Sequence, residues 1–157
     1  MKKPVKILLV EDNPADRRWI VEIFKEYHIP CKIHTVKDGG EALNFLYKTR
    51  NDAYRPQIII LDLYLPRISG REVLEKIKND ENLSSIPVVI LTASNSPGDA
   101  EVACINQVNC YLSKPINYSG LMEIIHRTGK FGLTVPAIHD TSKYLPGNVF
   151  NFKHHHI

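Results

Sequence analysis

The chain lacks what several classes of protein require. No apolar run approaches the roughly 20 residues that span a bilayer. Met1-Lys2-Lys3-Pro4 passes straight into a strand-like segment without a signal-peptide hydrophobic region. A soluble, cytoplasmic protein without membrane contact is therefore expected. Cysteine is scarce: Cys31, Cys104 and Cys110 share no CxxC or metal-type spacing. An odd, irregular set argues against a disulfide framework, fits a reducing compartment and leaves the three as small apolar residues near the core. Although the net charge is +3, no block of Lys and Arg gathers on one element, so the charge balance does not point to nucleic acid. No glycine-rich turn follows the first apolar run, where a dinucleotide-binding fold needs one; the chain has Glu11-Asp12-Asn13-Pro14 there.

What is present fits one domain. A chain of 157 residues with 43% hydrophobic and 24% charged residues can bury a sizeable core. Lys6 to Val10 (KILLV), Ile58 to Leu61 (IIIL) and Val88 to Leu91 (VVIL) are short continuous apolar runs, as strands buried on both faces require. Lys32 to Val36 is a weaker, alternating strand candidate, and Cys110-Tyr111-Leu112 a short fifth. Helical patterns lie between them. Asn13-Pro14 opens the first, with Ala15, Trp19, Ile20, Ile23, Phe24 and Tyr27 at helical spacing. Asp38 and Glu41 form a capping box for the second, whose apolar face is Ala42, Leu43, Leu46 and Tyr47. A third from about Gly70 to Asn79 buries Val73, Leu74 and Ile77. Ser96-Pro97 opens a fourth, and Asn117 caps a fifth carrying Leu121, Ile124 and Ile125. Five strand–helix alternations mean βαβ units and a parallel sheet with helices on both faces. Residues 1–129 read as this domain. Residues 130–157 hold Gly/Pro breaks and no periodic apolar face, so they read as a tail without a domain of its own. The terminal His154-His155-His156 is expected to be solvated rather than a metal site.

Ligands of an open α/β sheet gather beyond the carboxyl ends of its strands. There the chain places Glu11 and Asp12, then Asp62, Thr92 and Lys114. Taken singly, each has an ordinary reading. A strand-end Asp caps turns, Thr92 can cap the turn before Ser96-Pro97, and Lys114 can be solvated or an ion-pair partner of Asp12. Together they put three carboxylates, a hydroxyl and an ammonium on one edge. Crowded carboxylates repel unless a cation neutralises them, and a hard divalent ion such as Mg²⁺ with oxygen ligands does so. Lys114 can pair with Asp62 or a phosphoryl oxygen, and Thr92 can donate to the same group. A carboxylate nucleophile, a metal and matched donors are what phosphoryl transfer to Asp needs.

Four segments, LLVEDNPADRRWI, IIILDLYLPRISGREVL, VVILTAS and CYLSKP, resemble in order and spacing the signature segments of response-regulator receiver domains over residues 4–128. The resemblance implies a doubly wound, flavodoxin-like α/β fold with a five-stranded parallel sheet, order 2-1-3-4-5, and five helices. It implies that Asp62 accepts a phosphoryl group from a sensor histidine kinase. Asp12, Asp62 and the Tyr64 backbone carbonyl would bind Mg²⁺, with Glu11 acting through water. Thr92 and Tyr111 would be the switch residues, Lys114 the phosphoryl-contacting lysine, and Pro115 would follow a cis peptide bond. Two departures stand out. Ser69 occupies a position where the family often has Asp, and still serves as a cap. Tyr64, with Ser94, flanks the path of attacking water and points to a long phospho-Asp62 lifetime.

The long Lys48–Gln57 connection, NDENLSSIPVVILTAS and the short tail look most like the single-domain regulators paired with bacterial and cyanobacterial phytochromes, although some archaeal stand-alone receivers share them. Asp62-Leu63-Tyr64 lacks the second carboxylate of an aspartate-nucleophile phosphatase, so the chain is expected to catalyse only its own phosphorylation and dephosphorylation. A degenerate receiver is disfavoured because all five site residues are present. The residues after the receiver are too few for a helix-turn-helix domain, which argues against direct DNA binding, and a downstream protein partner is expected. A homodimer through the helix 4–strand 5–helix 5 face, residues 97–127, is expected on family resemblance.

Overall fold

The computed structural model describes residues 4–92, 110–114, 116, 119–121 and 149–151. Strands β1 (Val5–Val10), β2 (Cys31–Val36), β3 (Ile58–Asp62), β4 (Val88–Thr92), β5 (Cys110–Ser113) and β6 (Val149–Asn151) form one sheet. Helices α1 (Pro14–Glu26), α2 (Gly39–Thr49) and α3 (Gly70–Asn79) lie between the first four strands. The strand order is β2-β1-β3-β4-β5-β6. Every neighbouring pair from β2 to β5 is parallel, which is the expected 2-1-3-4-5 order.

Alternation along each strand sends side chains to two cores. Leu8, Val10, Ile59, Leu61 and Ile90 pack on one face with Ala42, Leu46, Val73, Leu74 and Ile77 of α2 and α3. Ile7, Leu9, Ile58, Ile60, Val89 and Leu91 pack on the other with Ile20, Ile23 and Phe24 of α1 and with Leu121. The sheet is thus covered on both sides, which is why its central strands read as unbroken apolar runs. Helix starts follow the expected caps. Asn13 Oδ1 accepts from Ala15 and Asp16 N–H, Asp38 Oδ1 from Glu41 N–H, and Ser69 Oγ from Glu72 N–H. Glu41 reaches back to the N–H of Lys37, one residue earlier than a strict capping box.

Two expectations are refined. Trp19, Tyr27 and Tyr47 share the helical period of their helices yet are exposed, because the sheet contacts a narrower arc than the apolar stripe. Within the expected tail, β6 pairs antiparallel with β5, placing Tyr111 opposite Phe150. A sheet edge presents unpaired N–H and C=O groups, and even three residues of suitable propensity satisfy some of them. The fourth helix, most of the fifth, the boundary at residue 129, the histidine triplet and Cys104 lie outside the described residues. Cys31 is half-buried with a free thiol, and burial pushes that thiol up. Among the described residues no helix is long and apolar enough to cross a membrane.

Gly70 fixes how closely α3 approaches the end of β3. A Cβ there would stand 2.1 Å from the Asp62 carbonyl oxygen and 2.5 Å from Leu63 Cα, both backbone atoms. Its N–H closes the intervening loop on the Leu63 carbonyl at 3.0 Å. Gly70→Ala is expected to cost about 1–3 kcal/mol, the usual range for overpacking. Urea denaturation read by circular dichroism checks this, and an unchanged midpoint would show that the helix can shift freely.

Candidate functional site

The parallel register brings the strand ends level. Val10 lies beside Leu61, Asp62 beside Leu91 and Thr92 beside Ser113, so the residues that follow or end these strands share one edge. Glu11 and Asp62 are buried and Asp12 is exposed, and one carboxylate oxygen from each lies within 4.8 Å of the others. Lys114, immediately after β5, reaches into this group. Its Nζ stands 3.1 Å from Asp62 Oδ2 and 2.9 Å from Asp16 Oδ2, and contacts Glu11 Oε1.

Local bonds hold the frame. Asn13 N–H donates to Glu11 Oε2, and Arg17 Nη1 donates to the carbonyls of Glu11 at 2.8 Å and Asp12 at 3.0 Å. These bonds fix the turn from β1 into α1. Tyr64 N–H donates to Asp62 Oδ1 at 2.9 Å, so each oxygen of that carboxylate has a donor. In the loop between β3 and α3, Arg67 takes a left-handed conformation (φ 65°) that few non-glycine residues adopt. Its guanidinium pairs with Asp38 Oδ2 at 2.7 Å, joining the loop to the start of α2.

Negative charge exceeds positive charge around the buried Glu11 and Asp62. Burial, with the Asp62 carboxylate beside it, pushes the Glu11 carboxyl from 4.5 up to about 8 against the pull of Lys114. Burial alone would lower the Lys114 ammonium, but its bonds to Glu11 and Asp16 and the nearby Asp62 raise it above its ordinary value, so it is charged. Lys114 stands beside the buried Glu11 Oε1, yet no well-directed hydrogen bond reaches that oxygen. An all-oxygen donor set with one under-satisfied buried atom suits a hard divalent cation.

The five strand-end residues therefore converge as expected in backbone position. Glu11, Asp12, Asp62 and Lys114 also converge in their side chains. The side chains of Thr92 and Tyr111, and Pro115 altogether, lie outside the described residues. Asp16, Arg17 and the Arg67–Asp38 pair were not foreseen. The signal for Asp16 was its place in the first turn of α1, four residues after Asp12, which carries its carboxylate back over the strand ends.

The family model described as the response regulator receiver domain matches residues 7–126. The chain is 40% identical over 139 residues to the response regulator Rcp1 of Synechocystis sp., covering 85% of this chain and 95% of that protein. It is 38% identical over 131 residues to the probable methanogenesis regulatory protein FilR2 of Methanothrix harundinacea, covering 83% and 84% of the two chains. The crystal structure of the Mn²⁺-bound form of Rcp1 superposes with a TM-score of 0.69, over 85% of this chain and all of that one. The phosphorylated cyanobacterial phytochrome response regulator RcpA, 41% identical, gives the same score over 85% and 99% of the two chains.

Because the folded state raises the Glu11 pKa, it favours the protonated form. That contribution to stability is complete below pH 4.5 and is lost as pH rises through about 8. The metal-free chain is expected to lose stability across this window. Glu11→Gln should flatten the slope, and a saturating divalent cation should do the same by replacing the proton. Urea midpoints at stepped pH test this, and an undiminished slope in Glu11→Gln would assign it to another group.

Proposed function

The chain belongs to the response regulator receiver family, and from that membership we propose that it is a stand-alone two-component regulator whose Asp62 takes a phosphoryl group from a histidine kinase. One observation carries the assignment to Asp62. Asp62 is buried and has a directed donor on each oxygen, the Lys114 ammonium at 3.1 Å on one and the Tyr64 N–H on the other, whereas Glu11 Oε1 has none and Asp12 is exposed. A carboxylate in that setting is held in a fixed orientation beside a positive charge that can receive the incoming phosphoryl oxygens.

In the proposed reaction an Asp62 carboxylate oxygen attacks phosphorus, the bond from phosphorus to the kinase histidine nitrogen breaks, and the phosphoryl oxygens come to rest near Lys114. Lys114 balances the added charge. Asn13, Arg17 and the Gly70-closed loop keep the acidic residues from spreading apart as it arrives. The acidic site would hold Mg²⁺ through Asp12, Asp62 and the Tyr64 carbonyl, with Glu11 through water. A dication there supplies the neutralisation that lets an anionic donor approach. The Mn²⁺-bound structure of Rcp1 supports a divalent ion in this fold. Thr92 would donate its hydroxyl hydrogen to a phosphoryl oxygen, and Tyr111 would follow it as a two-state aromatic, with Pro115 in the cis form.

The output is binding, because the receiver fold brings no second catalytic group. The proposed donor is a phytochrome-type sensor kinase, which the similarity to RcpA supports. A downstream protein, rather than DNA, would read the phosphorylated face in the cytoplasm. A homodimer would use the helix 4–strand 5–helix 5 face.

Asp62→Asn is expected to abolish labelling by acetyl phosphate or a cognate kinase in Mg²⁺, while leaving the fold intact by circular dichroism. Persistent label in that variant, located by mass spectrometry, would move the acceptor elsewhere. Sedimentation with and without a phosphoryl mimic checks the dimer, and a monomer in both states would refute it.

A further inference from the structure

Asp16 belongs to none of the roles above, yet it holds the same ammonium that Asp62 holds. Lys114 carries three N–H donors, and three carboxylates stand around it: Glu11, Asp16 and Asp62. Two of its donors are hydrogen-bonded, to Asp16 and Asp62, and the third stands against Glu11 Oε1 without a well-directed bond. A phosphoryl group on Asp62 replaces the single negative charge of the carboxylate with up to two and brings three strong acceptor oxygens beside Lys114. The N–H on Asp62 Oδ2 can pass to one of those oxygens. A second such bond draws the ammonium away from either Asp16 or Glu11.

Burial decides which one. The Glu11 side chain is 0% exposed, so its oxygens cannot recover hydration if Lys114 turns away. The Asp16 side chain is 35% exposed and can return to water at small cost. We propose that Asp16 is a positioning residue that competes with the phosphoryl group for Lys114: it holds the ammonium in the resting state and is released on phosphorylation. This rests on Asp62 as the phosphoacceptor and deepens that reading by naming what sets the balance between the two states.

The same helix grips the Lys114 loop at a second point. Trp19, one turn beyond Asp16 and on the same side of α1, donates its indole N–H to the carbonyl of Ile116, two residues past Lys114. The two anchors join α1 to the exit of β5 across 97 and 98 residues of chain. Trp19 is the single tryptophan in the sequence and is 51% exposed, so its emission reports on this junction without labelling. Loss of the Asp16–Lys114 contact alters the surroundings of the neighbouring anchor.

The test titrates the full chain in Mg²⁺ with beryllofluoride, a phosphoryl mimic, following Trp19 emission and, in parallel, heat by calorimetry. The wild type is expected to saturate. Asp16→Asn should bind the mimic roughly two- to five-fold more tightly, the range for a half-exposed ion pair. The difference should shrink as salt screens the competition, and Asp16→Glu should return the affinity toward wild type. Equal or weaker binding by Asp16→Asn would overturn the proposal, as would equal tightening in Asp16→Glu. Failure of the underlying reading looks different: beryllofluoride would still bind Asp62→Asn, or would not bind the wild type at all.

Discussion

The rest of the structure depends on an excess of carboxylates over cations at one buried edge of the sheet. Glu11, Asp62 and Asp16 share the single ammonium of Lys114, while Asp12 stands exposed beside them. A pocket with this imbalance has three ways to relieve it: a proton, a divalent ion, or spreading the acids apart. The fold blocks the third. Arg17 pins the turn that carries Glu11 and Asp12, and Gly70 seats α3 against the end of β3 so that Asp62 cannot retreat. The raised Glu11 carboxyl is the protonic solution, and a bound dication replaces it. The resting site is therefore held short of neutrality by its own scaffold, which is what makes it responsive to an arriving charge.

That scaffold is ordinary in its parts. Unbroken apolar strands need cover on both faces, so α1 lies on one side and α2 and α3 on the other. Parallel pairing places every strand's carboxyl end on the same edge, and register then sets which ends are level. Function is concentrated in the one or two residues after each apolar run. The packing that orients them comes from residues with no chemistry of their own.

This division explains what could be read from the sequence. A polar residue ending an apolar run stands out, so Glu11, Asp12, Asp62, Thr92 and Lys114 were legible, and parallel topology was enough to bring them together. Capping at Asn13, Asp38 and Ser69 was legible because it is local chemistry. Asp16 and Arg67 were not. Asp16 looks like any first-turn acid until the angle between α1 and the sheet is known. The pairing of Arg67 with Asp38 spans 29 residues and depends on a left-handed backbone that an arginine rarely takes. The exposure of Trp19, Tyr27 and Tyr47 was hidden because periodicity ranks aromatics as apolar, whereas only the arc touching the sheet is buried. The strand β6 is too short to leave a pattern, and its partner is β5, far away in the chain.

The two sides of the sheet differ in how they resist unwanted pairing. On one side lies the edge strand β2, whose exposed Lys32 places a charge that discourages a foreign strand from adding on. On the other, β5 is already hydrogen-bonded to Val149–Asn151 of the same chain. An intruding strand there must first displace a covalently tethered competitor whose local concentration stays high at any dilution. The edge on that side is then β6, and at three residues it offers a foreign strand far less backbone to pair with than an open β5 would.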